Sequence, residues 1–182
     1  MADPPWGGDG EFGPKISDHY PLMKLADICA LPIASLSDDD AVLIMWSTWT
    51  HLEAALTVIK TWGFNYTAGF PWIKVEDPPA IDLFGDFRSK PTWGLGAWVR
   101  GCSEPILIAK RGNARPPEGH FLGLIAPRMQ HSRKPDDIYD YAEAFPGPYL
   151  ELFARRVRPG WDVWGNEVTP SVPLSGLTRA CT

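Results

Sequence analysis

Cysteine is scarce in this chain. Cys29, Cys102 and Cys181 are odd in number and far apart, with no C-x-x-C pair. That pattern excludes a disulfide framework and the common zinc sites, and it favours a reducing compartment. The four histidines, His19, His51, His120 and His131, are scattered and suggest no metal centre. No run approaches the ~20 apolar residues of a membrane helix, and no signal peptide opens the chain, so a cytoplasmic protein with no membrane partner is expected. Basic residues are few in the first half. Residues 1–87 carry 4 Lys and Arg against 13 Asp and Glu, whereas residues 88–182 carry 13 against 9. The formal net charge of −5 argues against strong sequence-independent binding to nucleic acid, but the second half can still offer a local basic surface. No glycine-rich G-x-G loop follows a strand, and no internal repeat is present.

What remains is a chain of 182 residues, 45% hydrophobic and 21% charged, which is enough for one globular domain. Nine tryptophans are many for this length; they suit a core and also a site for planar ligands. Strand-like and helix-like segments alternate, the pattern of an α/β sheet with crossover helices. Ala41–Trp46 is a continuous apolar run of strand length, as expected for a strand buried on both faces. Thr48 or Thr50 is placed to cap the helix that follows, in which Leu52, Ala55, Leu56 and Ile59 recur at helical spacing up to Gly63. Further strands are expected at 70–74 (irregular at Pro71), 105–109, 123–126, 149–153 and 161–164, with a helix from Pro135 to Phe145. Residues 75–96, broken by Pro and Gly, read as a long loop, of a length that is usually functional or disordered. The domain is expected to span 1–168, with 169–182 a poorly ordered tail.

Asp3-Pro4-Pro5-Trp6 carries the chemistry. An exocyclic amine on adenine is a poor nucleophile because its lone pair is delocalised into the ring. A carboxylate and a backbone carbonyl, each accepting one hydrogen bond, push that nitrogen toward a tetrahedral geometry with a usable lone pair. Asp3 supplies the carboxylate and Pro4 the carbonyl. Two prolines fix φ and stiffen the loop, and Trp6 offers a face for an extruded base, with stacking worth roughly 1–3 kcal/mol.

The motif does not stand alone. Ala2-Asp-Pro-Pro-Trp6, His19-Tyr-Pro-Leu-Met23, Leu43-Ile-Met-Trp46, Trp62-Gly-Phe64, Trp72-Ile-Lys74, Ser103-Glu-Pro105, His131-Ser-Arg-Lys-Pro-Asp136, Glu151-Leu-Phe-Ala-Arg155 and Trp161-Asp-Val-Trp-Gly-Asn166 follow one another in order. In their order and spacing they resemble the MT-A family of adenine methyltransferases, from Ala2 to about Val168. The resemblance implies a Rossmann-like methyltransferase sheet with flanking helices and permuted motif order. It also implies S-adenosylmethionine as cofactor and a nucleic-acid substrate, DNA rather than RNA, in a bacterial or phage-infected cell; a homo- or heterodimer is compatible with it. Lys134 would bind the cofactor's methionine carboxylate. Arg155 would contact its ribose or carboxylate region, Asn166 its ribose or adenine, and Glu167 its ribose hydroxyls. Tyr20, Trp72, Lys74 and Glu104 would line the base pocket and adjoining loops, with Lys74 meeting a phosphate or pairing with Glu104.

Two departures matter. Family members have a strand ahead of the catalytic loop, whereas here Met1 stands just before Ala2-Asp3, so that strand is expected to be missing and Asp3 to sit on a fraying terminus. Glu167 stands where the mRNA enzyme of the family has Gln, and it can accept hydrogen bonds but not donate them. Competing readings are an enzyme acting on the cytosine amine, an RNA adenine methyltransferase, and a truncated or silent nucleic-acid-binding homologue.

Overall fold

The computed structural model describes residues 1–7, 22–76, 92, 98–118, 121, 123–129 and 133–174. Most of the expected 75–96 loop and Tyr20 lie outside the described residues. The elements run α1 (Leu25–Cys29), α2 (Ile33–Leu36), β1 (Ala41–Trp46), α3 (Leu52–Thr61), β2 (Asn65–Val75), β3 (Ser103–Arg111), β4 (Leu124–Pro127), α4 (Asp137–Glu143), β5 (Tyr149–Leu152) and β6 (Trp161–Trp164). Helices precede β1, β2 and β5, whereas β2 to β4 and β5 to β6 follow one another with no helix between them among the described residues, so the expected alternation holds only in part within the Rossmann-like α/β fold.

Four strands pair in the order β1-β3-β2-β4, and β5 pairs with β6. The second pair is joined to the first by the chain's first residues, where Ala2 bridges in parallel to Met45 of β1 on one side and to Leu152 of β5 on the other. The Ala2 amide donates to the Ile44 carbonyl and the Trp46 amide to the Ala2 carbonyl, both at 2.9 Å. The Leu152 amide donates to the Met1 carbonyl at 2.9 Å, and the Met1 ammonium donates to the Leu150 carbonyl at 2.7 Å. Ala2 is fully buried. The fraying expected of Asp3 is therefore corrected: backbone hydrogen bonds on both sides hold the residue before it. Burial lowers the Met1 amine to a pKa of about 6.

β3 is antiparallel to both β1 and β2, so the sheet is mixed. Side chains alternate across it with the period of two that strands impose. Leu43 and Met45 of β1, with Leu107 and Ala109 of β3, join α3 in one apolar cluster. Ile44 and Trp46, with Ile106 and Ile108, join α4 in the other. The helices thus cover opposite faces, and an all-apolar β1 is what a strand buried on both sides requires. Val58 and Ile59 of α3 are buried, each contributing about 1.5–3 kcal/mol. The helix ends before Gly63, whose φ of +84° suits a residue without Cβ.

Three local expectations change. Neither Thr48 nor Thr50 caps a helix through its side chain; both hydroxyls turn to each other and to His51. Strand β2 begins at Asn65, earlier than expected, and its irregularity lies between Tyr66 and Ala68, while Pro71 stays in register opposite Pro105. The appendage expected from residue 169 is held over its first six residues. The Ser171 amide donates to the Val163 carbonyl at 2.9 Å, and Leu174 packs in the α3 cluster.

Candidate active site

Topology brings the candidate residues to one edge. In a parallel arrangement the carboxyl ends of the strands share an edge, and there α/β folds bind ligands. Asp3 to Trp6 follow the Ala2 bridge, Ser47 and Thr48 follow β1, Phe153 to Arg155 follow β5, and Gly165 to Glu167 follow β6. Glu104 arrives on the same edge because β3 runs the other way and begins there, opposite Trp72 near the end of β2. These residues, with Met23, His51, Lys134 and Trp164, line a cavity of about 470 Å³. A smaller cavity of about 320 Å³ shares Asp3, Lys134, Phe153 and Arg155 with it and extends to Tyr139, Glu151 and Arg156.

The catalytic loop is braced from outside. The Met23 amide donates to the Pro5 carbonyl at 3.0 Å, and the Gly7 amide donates to the Met23 carbonyl at 3.1 Å. The Trp6 indole donates to the Trp46 carbonyl at 3.3 Å and stacks on His51, ring centres 6.0 Å apart and planes within 16°. The Pro4 carbonyl already accepts the Trp6 amide at 2.9 Å, which leaves one lone pair for a ligand.

Four charges alternate through the site. Lys134 Nζ lies 3.2 Å from Asp3 Oδ1 and 3.3 Å from Glu104 Oε2, and Lys74 Nζ donates to Glu104 Oε1 at 2.5 Å. Lys74 and Lys134 also sit over the Trp72 and Trp46 rings, at 4.9 and 5.4 Å from the ring centres. Burial pushes the Asp3 carboxyl above its ordinary range, against the pull of Lys134. Burial alone would lower Lys134, but the Asp3 and Glu104 carboxylates outweigh it and hold the ammonium up. Glu104 is likewise penalised by burial, yet Lys134 and Lys74 bring it below its usual value. Oε2 of Glu104 is buried, and the Lys134 ammonium at 3.3 Å is the partner that compensates it.

Sequence reasoning placed Asp3, Pro4, Pro5, Trp6, Glu104, Lys134, Arg155, Asn166 and Glu167 in the site, and all of them line the cavity. Arg155 Nε donates to Glu167 Oε1 at 2.7 Å, which fixes that pair at the rim. Trp72 does not line it. Its ring is buried against Trp46, and its indole donates to the Ala126 carbonyl at 3.0 Å. Lys74 reaches the site only through Glu104. Ser47, Thr48, His51 and Phe153 were missed. A position just past β1 was the available signal for the first three. Nothing in the sequence marks Phe153, whose φ of +62° is unusual for a residue with a side chain and turns the chain between the two cavities. At Gly165 an added Cβ would collide with the Ala154 backbone, so only glycine lets β5 and β6 close behind Asn166.

The cavity fits an adenosine-bearing sulfonium amino acid in kind. Its volume is that of a small-molecule site, Lys134 can meet a carboxylate, and Asn166 and Glu167 can meet hydroxyls and ring nitrogens. An α/β sheet with a ligand cavity on its carboxyl edge and an Asp-Pro-Pro-Trp loop in its wall defines the class, a small-molecule-dependent transferase. Residues 1–167 match the MT-A70 family, and the chain belongs to it. The chain is 30% identical to the type II methyltransferase M.MunI of Mycoplasma sp, over 96% of this chain and 80% of that protein. It is 31% identical to the human N(6)-adenine-specific methyltransferase METTL4, over 92% of this chain and 36% of that protein. It is 27% identical to the N6-methyladenosine RNA methyltransferase MTA1 of Cryphonectria parasitica, over 92% of this chain and 50% of that protein. The chain thus spans most of the first relative and half or less of the other two. Among the described residues no helix is long and apolar enough to cross a membrane, and no cluster of side chains could hold a metal ion.

Proposed function

We propose that this chain methylates the exocyclic N6 amine of adenine in DNA, using S-adenosylmethionine, in the cytoplasm. The observation that carries the reading is the Asp3-Pro4 pair of acceptors on the wall of the cavity, with Trp6 beside it. Asp3 Oδ and the remaining lone pair of the Pro4 carbonyl each accept one hydrogen of the amine, drawing its lone pair out of the ring. The cofactor supplies a methyl carbon made electrophilic by its sulfonium. With the cofactor bound, methyl transfer to the amine would release a neutral thioether and leave the nitrogen with a proton to shed. Asp3, whose carboxyl burial holds above its ordinary range, would accept that proton. Lys134 keeps Asp3 oriented and offers its ammonium to the cofactor carboxylate, while Asn166, Glu167 and Arg155 hold the nucleoside end. Trp6, its plane set by His51 and the Trp46 carbonyl, forms the wall for the base. DNA is preferred to RNA because the match covers four-fifths of a type II methyltransferase against half of an RNA methyltransferase.

Incubation with methyl-labelled S-adenosylmethionine and separate DNA and RNA oligonucleotides, followed by nucleoside identification, tests the proposal. N6-methyladenine in DNA is expected. Label in RNA alone would overturn the DNA assignment, and label on cytosine the adenine assignment. Cofactor binding without transfer would favour the silent homologue.

A further inference from the structure

Trp49 is 55% exposed, a large apolar ring left in water. Yet it is not loose: its indole N–H donates to Ser103 Oγ at 3.1 Å, across 54 positions of sequence. Among the described residues no aromatic ring stacks on it and no cation sits over it. It occupies a 3-10 turn, Trp49–His51, in which Thr48 on one side and His51 on the other line the cavity. Ser103 directly precedes Glu104, also on the cavity wall. The indole does not line the cavity itself; it is pinned beside it, between the turn after β1 and the start of β3.

We propose that Trp49 is a stacking platform for the nucleobase adjacent to the target adenine. The inference rests on the functional reading above. Extruding a base leaves its neighbours unstacked, and an aromatic face beside the site recovers part of that loss with little regard to sequence. On that reading the cavity takes the cofactor and one base, and the adjoining nucleotides lie outside it, on the side where Ser103 holds the Trp49 indole beside Thr48 and His51. The bound group is a base on either a DNA or an RNA strand.

The test is a binding cycle read by anisotropy of labelled single-stranded oligonucleotides, in DNA and RNA versions. Wild type and Trp49→Ala are each titrated with an intact strand and with strands abasic on one or other side of the target adenine. Trp49→Ala should weaken binding to the intact strand about ten-fold. One abasic position should weaken wild type equally, and the two changes together should be no worse than either alone. Trp49→Phe should restore most of the affinity. Should Trp49→Ala fail to fold, Ser103→Ala, which unpins the ring, should weaken intact strands and leave abasic ones unchanged. Additive losses, or wild-type affinity in the variant, would overturn the assignment. The cycle reads affinity, so absence of methyl transfer leaves it interpretable, whereas methylation with additive losses rejects Trp49 alone. No binding to any strand rejects both.

Discussion

The charges around Asp3 and those along α4 and the β5–β6 region are made of the same residue types but do different things. Lys134 and Glu104 side chains are each only 16% exposed, and Asp3, at 32%, is tied to that pair through Lys134. Arg158 meets Glu143 at 2.9 Å and Arg133 meets Asp136 at 2.9 Å, but these side chains are 30–50% exposed. In water an ion pair gives back much of what it gains by losing hydration, whereas a pair removed from water is costly to break, because the survivor stays behind uncompensated. The outer pairs trim the surface. The inner chain of four holds a carboxylate at a cavity wall, with its proton affinity raised.

Substitutions can break that contrast. Asp3→Ala removes one of the two acceptors for the amine, so methyl transfer should fall by about 10²–10³-fold or more in a labelled-methyl assay while cofactor affinity is largely kept. Wild-type rates would refute the acceptor role. Lys134→Met leaves Asp3 and Glu104 facing each other without their shared cation, and should lower stability by about 2 kcal/mol in urea unfolding, discounted for partial exposure. An unchanged midpoint would place Lys134 among the outer pairs in kind.

The pH dependence sharpens the same point. Asp3 must be ionised to accept, and its folded pKa is raised above the ordinary 3.8, so transfer should decline on acidification along a limb above that value. A kcat/KM profile flat through that range would exclude it. In stability the two carboxylates oppose each other. Ionising Asp3 costs stability as pH rises through its raised value. Glu104, held low, stabilises above its ordinary 4.5, and that gain is lost as pH falls through its lowered value. Smallest of all, Arg158→Gln should leave the melting temperature within experimental error, because Glu143 keeps the Trp161 indole as a donor at 2.8 Å. A clear drop would mean that the outer pairs are less screened than their exposure implies.

Much of the fold was legible. The apolar run 41–46, the periodicity of 52–59 and the Asp-Pro-Pro-Trp loop each depend on local pattern, and each appears where expected. The lapses have physical causes. Trp72 and Lys74 share one face of β2, and residue type alone cannot say that the Trp72 ring packs on Trp46 with its indole on the Ala126 carbonyl while the longer Lys74 reaches over it to Glu104. Thr48 and Thr50 carry the right side chains for caps, but a histidine nitrogen 2.7 Å from Thr48 Oγ1 outcompetes the helix amides. His51 was passed over because its partner, Trp6, is 45 positions away in the chain.

By itself, then, the sequence determined most of the strands and the helices α3 and α4, the reactive loop and its prolines, and the order of motifs that places the chain in its family. These are local or ordered in one dimension, so composition and spacing suffice. Only the tertiary structure decided that Ala2 bridges β1 and β5, that Asp3, Lys134, Glu104 and Lys74 alternate in sign within hydrogen-bond reach, and that Trp49 stays exposed while bonded to Ser103. Those depend on strand order and pleat, which bring residues 3, 74, 104 and 134 onto one edge, and no local pattern encodes that distance.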